Sequence, residues 1–88
     1  MTDDLERHSG ESARLYQQER LVLWATEAIC ELMAENNVSR AELARRLGTS
    51  RANITQMLNG SRNLTLRTLA DMAWACEARI DVRVEPLR

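Results

Sequence analysis

The chain of 88 residues has one histidine and two cysteines, and its twelve basic side chains are all arginine. A lone His8 cannot form a histidine-based catalytic constellation. Cys30 and Cys76 lie far apart with no neighbouring Cys or His, which excludes a zinc finger and a disulfide framework. They are expected to behave as small hydrophobes in a reducing cytoplasm. No apolar run approaches the roughly 18 residues of a membrane span, and Met1-Thr2-Asp3-Asp4 lacks the apolar stretch of a secretory signal. No nucleophile–base pair, metal-ligand cluster or phosphate loop stands in the sequence, so neither catalysis, metal nor cofactor is expected. What is present is an ordinary globular composition, 44% hydrophobic and 28% charged, enough for one small domain with a thin core.

The net charge of -1 conceals a segregation. Residues 1–38 carry eight acids and three arginines, residues 39–70 six arginines and the single acid Glu42, and residues 71–88 four acids and three arginines. A basic middle third between acidic flanks points to an anionic partner for that segment.

Residues 1–10 are polar, end in Ser9-Gly10 and show no periodicity, so a flexible acidic tail is expected there. From Glu11 to Glu35 there is neither Pro nor Gly, and Leu15, Val22, Ala25, Ile29, Leu32 and Met33 recur at helical spacing. Leu21, Trp24 and Ala28 widen that stripe. The resulting helix would be about 37 Å long, and its N-terminal half is expected to pack on something other than its own core.

Asn36-Asn37 breaks the pattern. Ser39 to Glu42 then reads as a capping box, with Val38 and Leu43 as a hydrophobic staple. A second helix over about 40–47 is expected to bury Leu43, Ala44 and Leu47 and to stop at Gly48, which accepts a left-handed conformation. A third helix, capped by Ser50, runs to about Leu58 with Ile54, Met57 and Leu58 inward. Asn59 to Asn63 is a loop by composition. Thr65 caps a fourth helix, to about Glu77, expected to bury Leu66, Leu69, Ala70, Ala73 and Trp74. The period then changes: Ile80, Val82 and Val84 alternate with polar residues, which predicts one C-terminal β-strand over 79–85, stopped by Pro86, in the C-terminal segment 79–88. A lone strand needs a pairing partner, so this segment is the expected dimerisation element.

Residues 40–59 form the strongest motif: two short helices joined by a tight turn. Ala44 is small where the helices must cross closely, Gly48 follows four residues later, and Ile54 supplies an apolar plug six beyond that. The stretch from Ala41 to Ile54, followed by Leu58-Asn59-Gly60, resembles the repressor/Cro-type (Xre-like) helix-turn-helix family, and the resemblance extends over roughly residues 26–77. The family usually has a fifth helix where this chain has its alternating segment, and the first helix here is longer.

The resemblance implies an all-α helix-turn-helix bundle of four helices over residues 11–78, followed by the strand. It implies sequence-specific binding to double-stranded DNA as a homodimeric transcriptional repressor on a palindromic operator. By position, base contacts map to Arg51, Ala52 and Gln56: Arg suits guanine, Gln suits adenine, and Ala can meet a thymine methyl. Arg40, Ser50, Asn53, Asn59, Ser61, Arg62, Asn63 and Thr65 are then the expected phosphate contacts, grouped near helix N-termini. Arg45 and Arg46 are candidates for long-range attraction. The competing function is that of an antitoxin or other interaction protein, with a toxin gripping the acidic first helix.

Overall fold

The computed structural model describes residues 2–60 and 64–87, with side chains from Gly10 onward. Four helices follow one another: α1 (Thr2–Glu35), α2 (Arg40–Leu47), α3 (Arg51–Leu58) and α4 (Leu66–Ala75). Helix α1 includes residues 2–10, expected as a tail. No proline interrupts it, and one interior glycine, Gly10, weakens a helix by only about 1 kcal/mol. Thirty-four residues at 1.5 Å each account for most of the 54 Å long axis of the molecule.

The other three helices gather on the C-terminal half of α1. The core holds Ala25, Ile29 and Met33 from α1, Leu43 and Ala44 from α2, Ile54, Met57 and Leu58 from α3, and Leu69, Met72 and Ala73 from α4. Val38 and Leu43, the staple pair, are both buried. The Thr26 hydroxyl is buried as well, and it donates to the Val22 carbonyl at 3.0 Å.

Three helices stop in the same way. Asn37, Gly48 and Glu77 all adopt positive φ, at 55°, 67° and 61°. Beyond each, the next amide reaches back to a carbonyl five residues earlier: Val38 to Met33 at 2.8 Å, Thr49 to Ala44 at 2.9 Å, Ala78 to Ala73 at 2.9 Å. This is the Schellman arrangement, which satisfies carbonyls left over at a helix end. Glycine adopts it without strain at Gly48, whereas Glu77 has a Cβ that opposes it. Glu77→Gly is therefore expected to stabilise the domain by about 0.5–1 kcal/mol, the relief of strain being partly offset by the greater freedom of Gly in the unfolded chain. Chemical denaturation measures this, and an unchanged or lower midpoint would contradict it.

The expected C-terminal strand does not form. Residues 78–87 have no helix or strand assignment, and the described residues contain no β-ladder. Ile80 packs partly against the core, but Val82 and Val84 are exposed. Alternation creates an apolar edge, yet a strand exists only through hydrogen bonds to a neighbour, and the bundle offers none. The segment instead runs back beside α1, where Leu87 lines a shallow depression with Gly10, Ala13, Arg14, Gln17, Gln18 and Leu21.

Helix α4 is shorter than expected and turned on its axis. Leu66, Ala70 and Trp74 are exposed, while Met72, Ala75 and Cys76 are buried beside the expected Leu69 and Ala73. Burial raises the pKa of the Cys76 thiol, which behaves as the small hydrophobe expected; Cys30 is exposed.

Candidate nucleic-acid interface

Helix α2 packs on α3, with Ala44 of α2 4% exposed and Ile54 of α3 fully buried, as the close crossing expected from the sequence requires. Both helices have side-chain N-caps. Ser39 Oγ accepts from the Glu42 amide and Ser50 Oγ from the Asn53 amide, each at 3.0 Å. Thr65 Oγ1 accepts from the Thr68 amide at 3.1 Å and so caps α4. All three caps lie where the sequence placed them. A cap satisfies one N-terminal amide and leaves the others of the first turn directed outward, where the helix end carries partial positive charge.

With Ile54, Met57 and Leu58 turned inward, Arg51, Ala52, Gln56 and Asn59 are the exposed residues of α3 and its C-cap. Ala52, Gln56 and Asn59 follow at intervals of four and three, so they share one face, and Arg51 stands at its N-terminal edge. Asn53 is half-buried, and its amide nitrogen donates to Thr49 Oγ1 at 3.0 Å, which braces the turn before α3. Arg40 opens α2 and is half-buried. The Ser50 and Thr65 oxygens serve the caps, so what each can offer a phosphate is its hydroxyl proton. The Thr65 hydroxyl also lies 2.9 Å from that of Thr68. Ser61, Arg62 and Asn63 lie outside the described residues. Sequence reasoning passed over Arg67, exposed in the first turn of α4, two residues beyond the Thr65 cap; the cap itself was the signal that could have found it.

Arg45 and Arg46 are engaged inside the domain. Arg45 Nε donates to Glu42 Oε2 at 2.9 Å and Arg46 Nε to Glu42 Oε1 at 3.0 Å. Arg46 also reaches the Ala75 carbonyl at the end of α4, at 2.7 Å. Glu42 thus serves the two arginines instead of closing the capping box, and Arg46 ties α2 to α4. Hydrogen bonds from Arg45 and then Arg46 lower the Glu42 pKa from 4.5 to about 2. A depressed folded-state pKa means that this contribution to stability is complete above pH 4.5 and fades as the pH falls toward 2. Glu42→Gln should therefore flatten the acid limb of a melting-temperature profile within that window. An unchanged limb would mean that the triad contributes nothing to pH-dependent stability.

The described residues contain no group of His, Cys, Asp and Glu that could hold a metal ion, and no described helix is long and apolar enough to cross a membrane. A sharp two-helix motif with a polar exposed second helix, set in a four-helix body, defines a helix-turn-helix DNA-binding domain. The Cro/C1-type HTH DNA-binding domain model matches residues 27–80, and the chain belongs to that family. No curated protein and no solved structure matches the chain. The matched region begins inside α1, so the projecting N-terminal half of that helix lies outside it.

Proposed function

We propose that the protein is a sequence-specific transcriptional repressor that binds a palindromic operator in double-stranded DNA as a homodimer in the cytoplasm. The observation that carries this reading is the exposed face of α3, Ala52, Gln56 and Asn59 with Arg51 at its edge, in a chain of the Cro/C1-type family. Arg51 and Gln56 read base edges and Ala52 meets a thymine methyl. Arg40, Ser50, Asn53, Asn59 and Thr65, with Ser61, Arg62 and Asn63, hold phosphates, and Arg67 joins that set. Phosphate contacts fix register while base contacts select sequence.

Selection of random duplex DNA by the purified protein tests the proposal. The expected product is a family of duplexes with two inverted half-sites one helical turn, about 34 Å, apart. A pool that enriches no sequence would overturn sequence-specific binding, and a single unrepeated half-site would overturn the homodimer on DNA.

A second reading, an antitoxin-type protein held by a toxin, draws on the acidic α1 and the large apolar side chains it exposes. A growth inhibitor encoded beside this gene and neutralised by the protein would favour it.

A further inference from the structure

Along its middle turns, helix α1 exposes large apolar side chains to solvent. Tyr16, Leu23 and Trp24 are 63%, 58% and 53% exposed. At 100° per residue they fall, with Arg20 and Glu27, within about 100° of arc opposite the inward side of Ala25, Ile29 and Met33. Together with Glu19 these residues line a groove along the helix. The chain's own C-terminal segment does not cover it, because Leu87 lies on the flank formed by Arg14, Gln17 and Leu21.

We infer that this face of α1 pairs with the same face of a second copy, antiparallel, about a two-fold axis between positions 23 and 24. This rests on the homodimer reading above and names its interface. The charges supply the argument. Arg20 and Glu27 are two turns apart, beyond the three- or four-residue spacing at which helix side chains pair. The two-fold axis sets Arg20 of each copy opposite Glu27 of the other, which makes two ion pairs, and Glu31 opposite Tyr16, while Glu19 stands at the rim of the groove. It also sets Leu23 against Trp24 of the second copy. Parallel pairing would oppose Arg20 to Arg20 and Glu27 to Glu27, which disfavours that orientation.

The area is sufficient. Tyr16, Leu23 and Trp24 expose on the order of 350 Å² per copy, and the stems of Glu19, Arg20 and Glu27 with Cys30 bring two copies to the roughly 1,000 Å² a specific interface needs. The interface is isologous, as two-fold symmetry demands. It also leaves α3 uncovered: the core separates the inward side of α1 from the outward residues of α3, so pairing through the far side does not compete with DNA.

Charge reversal tests the interface without DNA, by sedimentation equilibrium. Wild-type protein should be a dimer. Arg20→Glu and Glu27→Arg should each weaken it about tenfold or more, since two attractive pairs become two repulsive ones. The two single variants mixed together should form a heterodimer, and the double variant should recover the homodimer, which a merely structural role for either residue would not produce. Circular dichroism should show unchanged helix content, as both positions are exposed. A single variant that remains a dimer of wild-type strength, or a double variant that stays monomeric, would overturn this interface while leaving the homodimer standing. Wild-type protein that is monomeric at high concentration would overturn both and leave the face to a different protein. The duplex selection reads DNA binding independently of these outcomes.

Discussion

Ala44→Leu should lower the melting temperature by roughly 10–20 °C and abolish specific DNA binding. Ala44 is 4% exposed on α2, which packs on α3, and Leu43 and Ile54 are fully buried in the same core. Three added carbons have no space there, and overpacking of a tight core costs about 1–3 kcal/mol. In a domain under 100 residues each kcal/mol lowers the midpoint by about 4–8 °C, and such domains have only about 5–10 kcal/mol of stability. The remaining route is to push α3 away from α2, which displaces Arg51 and Gln56 from any groove that α3 enters. Ile54→Ala probes the same contact from the opposite direction, leaving a cavity at a cost of about 2–5 kcal/mol. Thermal unfolding of both variants decides the matter. Wild-type melting of Ala44→Leu would mean that the helices do not cross as closely as this arrangement requires.

The second large effect concerns recognition and leaves the fold intact. Arg51→Ala and Gln56→Ala should each lower affinity for the selected site by about 1–3 kcal/mol, a factor of about 5 to 150. Their effect on random duplexes should be much smaller. Both side chains are exposed, so melting temperatures should change little. Binding isotherms on the selected and a scrambled duplex separate the possibilities. Equal losses on both would identify the residue as a phosphate contact, and no loss on either would remove it from the interface.

Much of the fold was legible because it is written locally. A cap needs only a hydroxyl at the right offset from a helix start. Ser39, Ser50 and Thr65 each bond the amide three residues on, as their positions imply. The turn after α2 needs one residue that tolerates positive φ, and Gly48 supplies it. The crossing needs a small residue, and Ala44 is one. The exposed face of α3 followed by subtraction, once Ile54, Met57 and Leu58 were recognised as its inward set.

Sequence alone therefore determined the helix order, the caps, the turn and the residues on the outward face of α3, since each depends on neighbours a few positions away. Tertiary structure decided the rest. Helix α4 gathers Arg67, Thr68 and Asp71 on one side and spreads apolar residues over a broad arc, so its period marks the polar side but leaves the centre of the buried side open. Packing against α1 and α2, with Arg46 fixed to the Ala75 carbonyl, turned it toward Met72 and Cys76 and left Trp74 outside. Glu42 could equally have closed its capping box, but two arginines nearby offer its carboxylate stronger, charged hydrogen bonds. Residues 79–85 have the alternation of a strand and no ladder, because pairing belongs to the neighbour as much as to the strand. The length of α1 was equally undecidable: nothing local stops it, and only the placement of the other helices on its C-terminal half shows how much of it is left without a core.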